Sequence, residues 1–186
     1  MWVFGYGSLM SDGWQKQFAC NDVVRAELHG YARTFNKKSS ERWGTRVAPG
    51  PTLNLVEAPT LSCTGVAFSF ADDQADGVLS YLRRREGKNF ELRELEVTAA
   101  WGVFAARVPV YTGPNVFDTT DAAKLALLSL HASGTAGRCR DYVDRVYQDL
   151  QLLEIDDPSV TAMWKALQVL IATEPGPSRQ AGHASS

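Results

Sequence analysis

Cysteine, histidine and clustered positive charge are all scarce in this chain, and each shortage removes a class of function. The three cysteines, Cys20, Cys63 and Cys139, are odd in number and widely separated, with no C-x-x-C pair. That pattern disfavours a disulfide framework and a zinc site, and the three read as buried thiols in a reducing compartment. Of the three histidines, His29 and His131 stand alone and His183 is close to the end. With 19 Lys and Arg against 21 Asp and Glu, the formal charge is −2, so no basic surface is expected to hold a phosphate backbone. No apolar run approaches the roughly 18 residues of a membrane helix. No basic segment precedes an apolar one at the N-terminus, as it would in a secretory signal. The expectation is a soluble cytoplasmic protein with no nucleic-acid and no membrane partner; nothing in the sequence fixes an oligomeric state.

What is present suffices for one hydrophobic core: 186 residues, 45% hydrophobic and 22% charged. One domain is predicted over 1–172. Residues 173–186, T-E-P-G-P-S-R-Q-A-G-H-A-S-S, cannot bury enough surface to order themselves and read as a flexible tail. The first half reads mainly as strands, with Trp2 to Tyr6 first and Val23 to Asn36 alternating around Gly30 as a bent strand or two. Lys37 to Pro51 carries four basic residues, two glycines and two prolines, and reads as a long loop. Two strands follow, Thr52 to Val56 and Leu61 to Phe70, joined across Ala58-Pro59-Thr60; Leu92 to Ala99 and Val103 to Tyr111 form a later pair. Helical periodicity appears from Asp72 or Asp73, a plausible N-cap, through Arg85, and again over 121–132 and 140–155. A last helix opens at Asp157-Pro158. Strands on both sides of a central helix, with helices last, predict an α+β fold around a small mixed β-barrel or strongly curled sheet flanked by helices.

The first strand runs straight into Gly5-Tyr6-Gly7-Ser8. A dinucleotide fingerprint would need Gly at position 10, where Met10 stands, and a phosphate loop would need Gly-Lys-Ser. A nucleophile elbow around Ser8 would need Gly at 6 and 10, and no histidine is an obvious partner. Two readings stay open: a nest of main-chain N–H groups able to hold a carboxylate or an oxyanion, and a plain strand-to-loop turn.

A second segment, Y-L-R-R-R-E-G, breaks a local rule. Glu86 lies four residues after Leu82, seven after Leu79 and eleven after Ala75, so it falls on the apolar stripe of its helix. It also occupies the last turn, where the helix dipole disfavours an anion. Both placements raise its pKa, toward the range where a carboxyl group exchanges protons near neutrality. The competing reading is a buried salt bridge from Glu86 to one of Arg83 to Arg85 or to a loop arginine.

Taken together, these residues resemble the γ-glutamyl cyclotransferase superfamily, most closely its ChaC-type branch. V-F-G-Y-G-S-L-M resembles that family's V-F-G-Y-G-S-L-I, and Y-L-R-R-R-E-G its Y-L-x-x-R-E-x. Y-A-R-T-F, S-S-E-R-W-G-T, L-N-L-V and C-T-G-V-A-F follow in the family's order. V-P-V-Y-T-G and G-R-C-R-D-Y-V resemble its later strand and the start of its later helix. The likeness spans about residues 1–170. Arg46 stands where the family tends to have Pro-Glu, Met10-Ser11 replaces Ile-Trp, and Arg138 to Arg140 replace an Asn-bearing turn.

The resemblance implies a cofactor-free and metal-free enzyme that cyclises the γ-glutamyl group of glutathione or a related small molecule to 5-oxoproline, releasing an amine. It implies Glu86 as general acid and base, with Val3, Phe4, Gly5, Tyr6, Gly7, Ser8 and Leu9 holding the substrate. Tyr111 and Tyr142 become candidates for hydrogen bonds in the pocket, with ordinary packing as the alternative. Arg33, Arg42 and Arg46 become candidates for the far carboxylate of a glutathione-like substrate, with solvated loop charges as the alternative. A non-catalytic module that binds γ-glutamyl or carboxylate ligands stays open, as does specificity for γ-glutamyl amino acids or γ-glutamylamines.

Overall fold

The structure is a computed structural model, and residues 1–87 and 89–174 are described. A closed barrel of five strands forms its centre, in the order β1-β3-β2-β4-β5. The strands are β1 (Trp2–Gly5), β2 (Cys20–Ser39), β3 (Gly50–Phe70), β4 (Phe90–Ala99) and β5 (Gly102–Tyr111). Neighbours pair antiparallel except β1 with β5, where Val3 meets Arg107 in parallel and shuts the barrel. Four helices accompany it: α1 (Ala75–Glu86), α2 (Ala122–His131), α3 (Cys139–Leu152) and α4 (Pro158–Thr173). A two-residue hairpin, β6 (Ser133–Gly134) with β7 (Gly137–Arg138), precedes α3. This is the α+β barrel flanked by helices that the alternation of strand and helix patterns predicts.

Two apolar clusters divide the core. The side chains of Phe4, Ala26, Leu28, Leu55, Ala67, Val97 and Val108 belong to one, contributed by all five strands. The other joins barrel residues such as Phe35, Leu53 and Phe68 to Val78 and Leu82 of α1, Val143 and Val146 of α3, and Met163 and Leu167 of α4. Among the described residues, no helix is long and apolar enough to cross a membrane.

Several boundaries differ from the sequence reading. β3 is one strand through Pro59, because the ladder skips from the pair His29 with Ser62 to the pair Tyr31 with Glu57. Pro59 falls in the unpaired stretch, where its missing N–H costs no ladder bond. Opposite it, Gly30 adopts a φ of 78°, which only glycine takes without strain, and lets β2 bend. Lys37, Lys38 and Ser39 pair with Thr52, Pro51 and Gly50, so the loop shortens to 40–49. Neither Asp72 nor Asp73 caps α1: a 3-10 turn over Asp72–Gln74 intervenes, and Asp72 faces the N-terminal ammonium at 3.3 Å. Asp121 and Asp157 do cap α2 and α4, accepting from Lys124 N and Val160 N. Of the expected tail, Thr173 closes α4 and Glu174 pairs with Arg140 at 3.2 Å; 175–186 lie outside the described residues.

Candidate active site

The bend after β1 is pinned from behind. Arg33, whose side chain is 0% exposed, donates through Nε to the Tyr6 carbonyl at 2.6 Å and through Nη1 to Asp157 at 2.9 Å; Nη2 donates to the Thr64 carbonyl. Trp14, also buried, donates through Nε1 to the Leu9 carbonyl at 3.0 Å. The Gly7 N–H is trans to the Tyr6 carbonyl across one planar peptide, so it points away from Arg33. Among the described residues, no protein acceptor meets the N–H groups of Gly7, Ser8 or Leu9. Gly65 allows the bend to lie this close to β3, since a Cβ there would fall on the Gly5 carbonyl oxygen.

In front of the bend lies a cleft of about 520 Å³. Tyr6, Gly7, Ser8 and Leu9 form one wall, Arg85 and Glu86 of α1 another, and Tyr142, Arg145 and Asp149 of α3 a third; Asp12, Lys37, Arg42, Trp43, Thr52 and Phe90 are among the other lining residues. Glu86 reaches it because Leu82, fully buried one helical turn earlier, anchors that face of α1 against the core. The Glu86 side chain is 19% exposed. Burial raises its pKa above the ordinary carboxylate value and Asp12 adds to this, while Arg85 and Lys37 oppose it. Both readings of Glu86 therefore describe parts of one arrangement: a desolvated carboxyl group in a cleft, and an ion pair with Arg85 Nε at 3.3 Å. Arg85 also donates to Ser8 Oγ at 3.0 Å and pairs with Asp12, so one guanidinium joins the carboxyl group to the bend.

Two phenols stand near Glu86. Burial, then the Glu86 charge, pushes Tyr6 well above the ordinary tyrosine value. Tyr142 rises for the same first reason, so both remain neutral proton donors. Leu53 N donates to Tyr142 Oη at 3.1 Å, which leaves the phenolic proton free to bond elsewhere. The Tyr142 ring packs on Trp43 at 5.1 Å, so its packing and cleft-lining roles coexist.

Other candidates lie elsewhere. Val3 and Phe4 are 0% exposed, their side chains in the two cores, and Gly5 is packed under Leu9; none lines the cleft. Tyr111 packs on Phe90, and its hydroxyl accepts from Asn115 N at 3.2 Å, so it sits behind the lining. Arg33 serves the fold, because its three nitrogens already donate to Tyr6, Asp157, Thr64 and the Met10 sulfur. Arg46 is an exposed loop residue away from the cleft, whereas Arg42 lines it. Asp12, Lys37, Arg145 and Asp149 are charged lining residues to which the sequence reading gives no role, whereas Arg85 is the salt-bridge partner it offers for Glu86. A lysine in an apparent loop carries no periodic signal. Among the described residues, no cluster of three or more His, Cys, Asp or Glu side chains is placed to hold a metal ion.

This fold recurs in a crystal structure of the yeast gamma-glutamyl cyclotransferase specific to glutathione. The two share a TM-score of 0.74 and 22% identity over 91% of this chain and 96% of that one. Residues 1–170 match the family of ChaC-like proteins, and the chain belongs to that family. Among curated relatives, the Arabidopsis thaliana protein "Gamma-glutamylcyclotransferase 2-3" is 29% identical over 174 residues, covering 87% of this chain and 85% of that protein. The Mus musculus protein "Glutathione-specific gamma-glutamylcyclotransferase 1" is 26% identical over 185 residues, covering 92% and 79%.

Proposed function

We propose that this protein is a γ-glutamylcyclotransferase that cleaves glutathione to 5-oxoproline and Cys-Gly. One observation carries the mechanism: a desolvated carboxyl group, Glu86, is tied through Arg85 to a bend whose Gly7, Ser8 and Leu9 N–H groups meet no protein acceptor among the described residues. A γ-glutamyl compound carries its own nucleophile, so the protein must supply a proton acceptor, a folded substrate and stabilisation of the oxyanion. Glu86 takes a proton from the substrate α-ammonium, and the freed amine attacks the γ-carbonyl carbon. The new C–N bond closes a five-membered ring while the carbonyl oxygen takes up negative charge. The N–H groups of Gly7 to Leu9, with the phenols of Tyr6 and Tyr142, serve that oxygen. As the bond to the cysteinyl nitrogen breaks, Glu86 returns its proton to the departing nitrogen; the ring nitrogen then passes its second proton to the re-formed Glu86 carboxylate and on to the released amine, which leaves as an ammonium.

The cleft's outer charge favours a leaving group that ends in a carboxylate. Arg42 and Arg145 line its rim, and Arg145 lies 5.9 Å from the Trp43 ring centre. A dipeptide such as Cys-Gly would place its terminal carboxylate there. The test is incubation with glutathione, γ-glutamyl amino acids and γ-glutamylamines, with chromatographic detection of 5-oxoproline and the released amine. Glutathione is expected to react fastest. Binding without product would leave a binding module, and a preference for γ-glutamylamines would contradict the role of Arg42 and Arg145.

A further inference from the structure

One extra residue in β2 decides where Lys37 points. Thr34 pairs with Asn54 and Lys37 with Thr52, so three steps along β2 answer two along β3, a β-bulge. Side chains alternate between the faces of a strand, and directly paired residues share a face. Without the bulge, Lys37 would follow Arg33 and Phe35 toward the helices, where Arg33 meets Asp157 and Phe35 packs in the helix-side core. With it, Lys37 takes the face of Thr52, and both line the cleft. Bulges beside active sites commonly re-aim a side chain in this way.

The ammonium group so placed is half-buried and lies over two rings, 5.5 Å from the centre of Phe90 and 5.4 Å from that of Tyr111. Among the described residues, no carboxylate lies within the 4.0 Å of an ion pair with it. Glu86 still acts on it electrostatically, favouring its charged form against the effect of burial. Lys37 and Glu86 therefore line one cleft and feel each other's charge without forming an ion pair. A carboxylate and an ammonium held apart like this complement a ligand carrying both charges on a single carbon, each group meeting its opposite. In a γ-glutamyl compound that carbon is the α-carbon, whose amine is the group Glu86 must deprotonate.

We propose that Lys37 receives the α-carboxylate of the γ-glutamyl head, making a free α-carboxylate a requirement for turnover. The inference rests on the cyclisation reading above. It orients the substrate: a carboxylate held at Lys37 turns the neighbouring amine toward Glu86 and the γ-carbonyl toward the bend.

The experiment compares release of Cys-Gly from glutathione and from its glutamyl α-carboxamide analogue. For the wild type, kcat/KM should be about 10- to 100-fold lower on the amide, the range for a charge-assisted hydrogen bond lost in a partly dry site. Lys37→Met should lower kcat/KM on glutathione by a similar factor, mainly through KM, and change it on the amide by less than about threefold. Lys37→Arg, which keeps the charge, should retain a preference for glutathione. Equal wild-type turnover of both compounds overturns the proposal, as does an equal loss on both in Lys37→Met. The wild-type comparison needs no variant, so it decides even where Lys37→Met fails to fold. A wild type that releases nothing from glutathione overturns the cyclisation reading itself, a different result from lost discrimination.

Discussion

Replacing Arg33 by methionine keeps most of the side-chain volume and removes every polar contact the guanidinium makes. Asp157, whose side chain is 11% exposed, then keeps a buried charge without its partner. Breaking a buried pair from one side costs about 3–5 kcal/mol. The Tyr6 and Thr64 carbonyls lose their donor as well, at about 1 kcal/mol each where water cannot replace it. Because neighbouring losses do not add fully, about 4–6 kcal/mol is expected, a large share of the 5–15 kcal/mol typical of a domain. Urea unfolding followed by tryptophan fluorescence measures this directly, and Tm should fall by about 10–20 °C. Adding Asp157→Asn should recover about 2 kcal/mol, since it removes the orphaned charge while the Asn oxygen still caps α4 at Val160 N. An Arg33→Met variant within about 1 kcal/mol of wild type, or a double variant no more stable than the single one, would refute the clamp.

Three further outcomes follow from the same geometry. Gly65→Ala should destabilise the protein by about 2 kcal/mol or more and lower turnover, because its methyl group collides with the Gly5 carbonyl and displaces the bend; paired thermal unfolding and rate measurements check this. The acid limb of kcat/KM should lie above the ordinary Glu value of 4.5, since burial favours the protonated form of Glu86; a pH–rate profile reads it. A carboxyl group with a raised native pKa contributes stability at pH below its unfolded value, and that contribution is lost as pH rises through the native one. Glu86→Gln, which fixes the neutral form, should therefore be more stable than wild type near pH 8, and the difference should shrink toward about pH 4 in parallel unfolding curves.

Much of the architecture was legible because it rests on local pattern. The alternation in β2, the strand pair of β4 and β5, the helical period over 121–132 and the start signal Asp157-Pro158 place the elements of an α+β barrel. Glu86 was legible because an acid on an apolar stripe contradicts its own helix. Lys37 was not, because a bulge cancels the strand periodicity that would have placed it, and the continuity of β3 was hidden by Pro59. Arg33 illustrates a different limit. Its charge suggests a ligand, and only the tertiary fold shows that Tyr6, Thr64 and Asp157 already occupy its donors. Val3, Phe4 and Tyr111 lie beside the site in sequence or in space, and packing, which sequence spacing does not encode, turns them into its support.

The central claim is that the ligand's own amine closes the ring with Glu86 moving the proton. The most direct measurement follows glutathione by mass spectrometry with wild type and with folded Glu86→Gln. The expected result is 5-oxoproline and Cys-Gly in equal amounts from the wild type, and a rate at least about 10² lower from the variant. Free glutamate as the product, or a Glu86→Gln rate equal to that of the wild type, would contradict it.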